Sequence, residues 1–401
     1  MKKFLEGSQA IAETIKLIKP EVIGAYPITP QTHIVEDLAK LKADGKADFE
    51  YVRAESEFAA ASIVLGASAA GSRVYTATSS QGLLLMTEVV FNIAGMRLPV
   101  VMTCANRGVS APITIWNDHQ DAMTVRDAGW VMLFAENLQE AVDLHLVAYK
   151  VAEKRNVPVM VNVDGFVLTH TYEPVEIPTQ GEVNKFLPKY KPAKGTYLDT
   201  KAPRSFGAFA TPPDYLEIRQ ELHEAVKGSG KLIQKEIKAW NRIFKKDKVN
   251  GKARESGLGQ KEKIKKGKKL IDNGLVEYYG SSNPETIFIA MGSMAGTVKH
   301  YLDNNKGRAG VLKIRSFRPL PQEEILAVLK KAKYVAVLDK SISLGEEGIL
   351  AREIKAMGKD KIKGKVQSFV VGLGGRDITD KTFDSIITEI KGKDEGEKFI
   401  G

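Results

Sequence analysis

The chain is expected to fold as an α/β protein built on parallel, doubly wound sheets. Short apolar runs alternate with helix-spaced segments from residue 5 to 175, and the same alternation resumes at Glu285. Between them lies a stretch whose composition belongs to neither half.

The elements follow in order. Gly7 to Ile18 places Ala10, Ile11, Ile15 and Ile18 near one helical face. Val22 to Tyr26 is a buried strand stopped by Pro27, and helical spacing returns over Thr32 to Lys42. Tyr51 and Val52 form a short strand before a helix from Glu55 to Ala70, whose Ala and Gly content predicts close packing. Val74 to Thr78 is a strand, Ser79 to Gly82 (SSQG) a turn, and Leu83 to Gly95 a helix. Strands over Pro99 to Cys104 and Val157 to Val163 flank a helix from Leu138 to Arg155. Residues 176–213 are proline-rich and read as a surface arm, followed by a helix from Asp214 to Lys246. Beyond Glu285, strands are expected at Thr286 to Met291, Gly310 to Ile314, Tyr334 to Leu338 and Gln367 to Val371. Helices fall at Met294 to Asn304, Gln322 to Lys331 and Gly348 to Met357, with a last one after Asp380. There is no internal repeat.

Composition narrows the function. The lone Cys104 excludes an internal disulfide, and with it an iron–sulfur cluster or thiolate zinc site built by this chain alone. The first residues lack the apolar core of a signal peptide, and no apolar run reaches the ~20 residues of a membrane span. A cytoplasmic protein without a membrane partner is expected. The net charge of +10 is unevenly placed. Lys227 to Leu270 holds 14 Lys and 2 Arg against Glu236, Asp247, Glu255 and Glu262, a local +12 that leaves the other 357 residues at −2. Such a block is a solvated insertion, a docking surface for an acidic partner, or a nucleic-acid contact. Its lack of interleaved aromatics disfavours stacking on single strands, so no nucleic-acid partner is expected.

Five motifs carry candidate chemistry. In YPITPQT, Tyr26 to Thr32, two prolines stiffen a loop at the carboxyl end of a strand, where open α/β sheets bind ligands. It either presents Thr29 to a ligand or is a rigid turn with Thr as a helix cap. In AESEFAAAS, Glu55 and Glu57 open a helix of small residues. They serve its dipole, or one of them hydrogen-bonds a protonated ligand nitrogen. TATSSQGLLLM, Thr76 to Met86, reads equally as a ligand-facing loop and as a solvated turn. Arg107 follows a strand end, where a guanidinium can grip a carboxylate. The nearby Asn117, Asp118, His119, Gln120 and Asp121 lack metal-ligand spacing. VGLGGRDIT, Val371 to Thr379, is too compressed for a dinucleotide loop and reads as a strand-end turn, with an interface as one possible setting.

In this order, together with FRPLP (Phe317 to Pro321), these strings resemble the alpha subunit of 2-oxoacid:ferredoxin oxidoreductases, most of all the pyruvate:ferredoxin oxidoreductase (pyruvate synthase) type. The likeness covers nearly the whole chain and is weakest over about 228–284. It implies a pyrimidine-type, thiamine diphosphate-binding doubly wound domain over 1–175. A connecting arm, helix and basic insertion would occupy 176–284, and a transketolase-C-like α/β domain 285–401. Glu57 matches the carboxyl that binds the aminopyrimidine N1′ and so favours the tautomer that takes the thiazolium C2 proton. Thr29, with Pro27 and Ile28, resembles the loop touching cofactor and substrate, and Arg107 the arginine that binds the 2-oxoacid carboxylate. Ser80, Gln81 and Asn106 are expected to line the same cleft. The resemblance further implies a beta subunit holding the diphosphate, Mg²⁺ and a cluster, and gamma and delta or equivalent subunits with [4Fe–4S] clusters. Oxidative decarboxylation would yield acyl-CoA from CoA, with CO₂ and reduced ferredoxin. SAPITIWND resembles pyruvate enzymes more than branched-chain ones. An aryl 2-oxoacid stays open, and Thr29 and Arg107 speak against oxalate.

Overall fold

In a computed structural model, the described residues are 2–244, 248–249, 252–253, 258–259, 263–265, 268–305, 307–330, 332–393 and 396–401. Fourteen residues of the expected basic block over 227–270 lie outside them. Among them, no helix is long and apolar enough to cross a membrane.

The amino-terminal half is wound on a parallel sheet. Its strands are β2 (Val22–Ala25), β3 (Glu50–Arg53), β4 (Val74–Thr78), β5 (Val101–Asn106), β6 (Val131–Phe134) and β7 (Val159–Asp164), after an outlying β1 (Lys3–Glu6) that pairs with β8 (Tyr172–Val175). Their order is 6-7-5-4-2-3, all parallel. The helices are α1 (Gly7–Ile18), α2 (Thr32–Ala43), α3 (Glu57–Ala69), α4 (Ser80–Leu85), α5 (Thr87–Gly95), α6 (Gln120–Thr124), α7 (Leu138–Arg155) and α8 (Gln180–Phe186). Local chemistry sets their starts. Ser56 caps α3 by accepting from Ala59 N at 3.2 Å, Asn137 caps α7 from Glu140 N at 2.9 Å, and Thr179 with Glu182 forms a capping box on α8. The long α9 (Pro212–Phe244) seals α7 with Leu222, Ile233, Ile237, Trp240 and Phe244, while Lys227, Lys231, Lys235 and Lys238 stay exposed.

After a two-strand ribbon, β9 (Lys248–Val249) and β10 (Lys252–Ala253), the second sheet forms. It comprises β11 (Lys263–Lys265), β12 (Lys268–Asp272), β13 (Val276–Gly280), β14 (Thr286–Ala290) and β15 (Ala309–Ile314). Beyond them, β16 (Ser316–Arg318) leaves for the first sheet, and β17 (Tyr334–Asp339), β18 (Lys365–Val371) and β19 (Lys398–Ile400) complete the second, ordered 11-12-13-15-14-17-18-19. Its central pairs are parallel, and β11 to β13 add an antiparallel edge. The helices here are α10 (Met294–Asn304), α11 (Gln322–Leu329), α12 (Ile349–Gly358) and α13 (Asp380–Glu389).

Several features differ from the sequence expectation: the Ser79 to Gly82 turn runs into α4, the expected helix from Leu83 to Gly95 is divided between α4 and α5, and the arm over 176–213 contains α8. β6 and β16 were not anticipated; both are short, β6 pairing parallel with β7 and β16 antiparallel with β6, where Ser316 meets Leu133. Strands β11 to β13 add to the second sheet ahead of Glu285. Helix α3 begins at Glu57 rather than Glu55, because Ser56 is extended and caps it.

One residue, Arg315, separates β15 in the second sheet from β16 in the first. That crossing is held by a buried charge cluster. The Lys313 ammonium lies 2.5 Å from Glu136, 2.6 Å from Glu140 and 3.0 Å from Glu277. Arg315 lies 2.8 Å from both Asp272 and Glu140, and Lys299 pairs with Glu136 and Glu277. Glu136 and Glu140 belong to the first half, the cations to the second. Arg315 and Lys313 outweigh burial and hold the Glu140 carboxyl down at about 2.

Lys313→Met leaves three buried carboxylates short of a cation. We expect a loss of about 3–5 kcal/mol, read from the urea midpoint. Because Glu140 is depressed from 4.5 to about 2, its contribution is present above pH 4.5 and is lost as the pH falls towards 2. Wild-type acid unfolding in that window should shift less in the variant, which has already lost the pairing.

Candidate active site

The carboxyl ends of β2, β3, β4 and β5 open on one edge of the first sheet and carry Pro27, Ile28, Thr29, Glu57, Ser80, Gln81, Asn106 and Arg107. The loop after β2 holds Pro27, Ile28 and Thr29. Its shape is fixed by the Gln31 side chain, which accepts from Ile28 N at 3.2 Å and donates to Ala77 O at 2.9 Å. Thr29 and Pro27 are exposed and Ile28 is half-buried.

Glu57 starts α3 beside the end of β4. It is only 8% exposed, and among the described residues its carboxylate has no hydrogen-bond or ion-pair partner. Two buried hydroxyls on the neighbouring strand end, Thr78 Oγ1 and Ser79 Oγ, also have no partner. Gly82 packs directly on this group: a Cβ there would sit 2.7 Å from Glu57 Oε1 and 2.6 Å from Thr78 Oγ1. Glycine is thus required by the close approach. Glu55, by contrast, is exposed and precedes the helix.

Arg107 follows β5. Its Nη1 donates to Thr29 O at 2.9 Å and its Nε to Thr114 O at 2.6 Å. Its Nη2 has no partner among the described residues. The arginine therefore ties the β2 and β5 loops together and keeps one guanidinium nitrogen to offer. Its backbone is anchored by Asp121, a fully buried carboxylate at the start of α6. Asp121 accepts from Ser80 N at 2.9 Å, Arg107 N at 3.0 Å, Asn106 Nδ2 at 3.0 Å and Ala122 N at 2.7 Å. Burial still pushes its pKa up, with the Asn106 amide and these N–H groups opposing.

Two sequence expectations change here. Asn106 is fully buried; its amide nitrogen donates to Asp121 and to Asn162 at 3.1 Å, while its Oδ1 has no partner among the described residues. Ser80 is also buried, and its hydroxyl donates to Gly108 O at 2.6 Å. Both send their donors inward, Asn106 to Asp121 and the Ser80 hydroxyl to Gly108 O. The reason is the Asp121 carboxylate, which draws their polar groups inward. Gln81, next along, stays half-buried and meets Ser80. The sequence placed Asp121 in a polar cluster but not as the member that turns inward.

The second domain reaches the same edge. Asp164, ending β7, meets His119 at 2.8 Å and Lys340 at 3.0 Å, and accepts from Ser293 N at 3.1 Å. Lys340, with hydrogen bonds from His119 and Ser293, holds it well below the usual carboxylate range against the pull of burial. Gly292 at φ +61 lets the chain approach, since a Cβ would lie 2.5 Å from Asp164 Oδ1. The VGLGGRD turn packs on the Arg107 loop, and the Gly374 backbone helps hold Asp118, whose carboxyl burial raises to about 6. That turn is therefore an interdomain contact.

Residues 13–238 match the family model described as pyruvate flavodoxin/ferredoxin oxidoreductase, thiamine diphosphate-binding, and residues 284–383 match pyruvate:ferredoxin oxidoreductase core domain II. The chain belongs to the pyruvate:ferredoxin oxidoreductase family. It is 44% identical to pyruvate synthase subunit PorA of Methanothermobacter thermautotrophicus, covering 100% of this chain and 98% of that protein. It is 40% identical to ketoisovalerate oxidoreductase subunit VorA of Pyrococcus horikoshii, over 98% and 94% of the two chains. In fold it resembles the solved 2-oxoglutarate:ferredoxin oxidoreductase from Magnetococcus marinus, determined with 2-oxoglutarate, coenzyme A and succinyl-CoA bound. The TM-score is 0.70 at 17% identity, over 97% of this chain and 65% of that one.

Asp121→Asn keeps the shape but turns an amide N–H₂ towards other donors. We expect a loss of about 1–3 kcal/mol in denaturant unfolding, and faster amide exchange at Ser80 and Arg107.

Proposed function

We propose that this chain is the pyrimidine-binding subunit of a thiamine diphosphate-dependent 2-oxoacid:ferredoxin oxidoreductase, with pyruvate as substrate. The enzyme would release CO₂, pass electrons to ferredoxin and transfer the acyl group to CoA. The observation that carries this reading is Glu57, 8% exposed and without a partner among the described residues, with Gly82 pressed against both its carboxylate and the unpartnered Thr78 hydroxyl. These groups fit an aminopyrimidine, which offers both a basic nitrogen and an amino group. Thiamine diphosphate supplies the electron sink for cleaving the bond between carboxylate and carbonyl carbon.

The chain's own residues would do three things. Glu57 shares a proton with the pyrimidine nitrogen from a water-poor pocket. Arg107 binds the substrate carboxylate through its free Nη2, while Thr29 O and Thr114 O hold the guanidinium in plane. Asp121 fixes the backbone on which Arg107 sits.

The diphosphate, Mg²⁺ and [4Fe–4S] clusters are assigned to partner subunits, beta and then gamma and delta or equivalents. Exposed apolar side chains on the site's own elements support such a partner: Phe58 beside Glu57, Leu85 on α4, and Ile113, Ile115 and Trp116 on the Arg107 loop, with Ile113 at 79%. A cytoplasmic setting suits these carriers. The ketoisovalerate relative at 40% identity keeps a branched-chain 2-oxoacid as the second reading.

In the assembled complex, Glu57→Gln should lower pyruvate-dependent ferredoxin reduction by at least ~10²-fold. Full retention would overturn the Glu57 assignment. Arg107→Lys should raise the KM for pyruvate about tenfold or more, since an ammonium cannot copy the guanidinium fork. A panel of 2-oxoacids assayed with CoA separates pyruvate from 2-ketoisovalerate by kcat/KM.

A further inference from the structure

We propose that Glu6, His33 and His170 form a site for a divalent transition-metal ion of the zinc class, on the flank of the first domain. The three come from separate elements. Glu6 ends β1, His33 is the second residue of α2, and His170 lies two residues before β8. The antiparallel β1–β8 pair sets Glu6 opposite Tyr172, which brings it near His170. Glu6 Oε1 is 2.7 Å from His33 Nδ1, the two imidazole centroids are 4.5 Å apart, and the ligand atoms of all three lie within 4.8 Å of one another.

His170 is already oriented. Its Nδ1 meets Thr169 Oγ1 at 2.7 Å, and that oxygen also accepts from Phe166 N at 2.8 Å. This leaves Nε2 as the nitrogen to ligate, with Thr169 as the outer partner that metal-bound histidines usually have. The Phe166 ring packs on His170 at 4.6 Å and Trp116 on Phe166 at 4.7 Å, backing the site with apolar surface.

Two imidazoles and one carboxylate suit zinc, cobalt or nickel better than magnesium or calcium, which prefer oxygen. Ligand atoms on a tetrahedral zinc lie ~3.4 Å apart, given bonds of ~2.0–2.1 Å. Rotating the half-exposed His33 ring closes the remaining gap. The other acidic cluster among the described residues, Glu136, Glu140 and Glu277, is already filled by Lys299, Lys313 and Arg315.

The test uses the isolated full-length chain, stripped with chelator. Calorimetric titration with Zn²⁺ should show one equivalent bound, and Co²⁺ should give visible absorption bands. His33→Ala should weaken Zn²⁺ binding at least ~10-fold and abolish the Co²⁺ bands, because loss of a ligand should cost at least as much as loss of an outer partner. The exposed ring makes this variant safe for folding. Glu6→Gln and His170→Ala should act likewise, and Mg²⁺ should not compete. Stoichiometric Zn²⁺ uptake that His33→Ala leaves unchanged would overturn the proposal, as would no uptake by the wild type.

Discussion

The cleft depends on one buried carboxylate. Asp121 gathers the N–H groups of Ser80, Arg107 and Ala122 and the Asn106 amide around two oxygens. A charge in such a place is tolerable only because every donor points at it. The consequence is positional. Ser80 adopts a left-handed backbone at φ 47 and opens α4, which carries Gly82 to the face of Glu57. Arg107 is held at its backbone, so that its side chain spans to Thr29. Glu57 and Arg107 thus share a common frame, although they come from different strands.

A second constraint sets the two domains against each other. A chain that passes from one sheet to the other through the single residue Arg315 leaves little freedom between them. Lys313 and Arg315 then meet carboxylates from both halves in a buried setting. Such a cluster is poor evidence of net stability, but it is strong evidence of register, because any other docking would strand charges. The register matters for the site: it places Lys340 and Ser293 on Asp164, and the Val371–Thr379 turn on the Arg107 loop.

Much of this was legible from the sequence, for physical reasons. Parallel strands buried on both faces leave continuous apolar runs, so Val74–Thr78 and Tyr334–Asp339 stand out. A carboxylate among alanines and glycines is anomalous, which marks Glu55 and Glu57 together; only the family resemblance separates them. What stayed hidden depends on contacts far apart in the chain. Asp121 is one of several polar residues in its loop, and only contact with Ser80, 41 residues away, marks it out. Strand β16 is three residues long and acquires its identity from β6. Ser80 and Asn106 lie at strand ends, where a polar side chain in the sequence does not reveal whether it faces solvent or a buried charge.

The claim at the centre of this account is that Glu57 awaits a ligand nitrogen. A density map of the assembled complex with thiamine diphosphate tests it most directly. The account predicts the pyrimidine N1′ within hydrogen-bond distance of Glu57, its ring edge over Gly82. A pyrimidine bound to a different carboxylate, with Glu57 left to solvent or to a side chain of a neighbouring subunit, would contradict it.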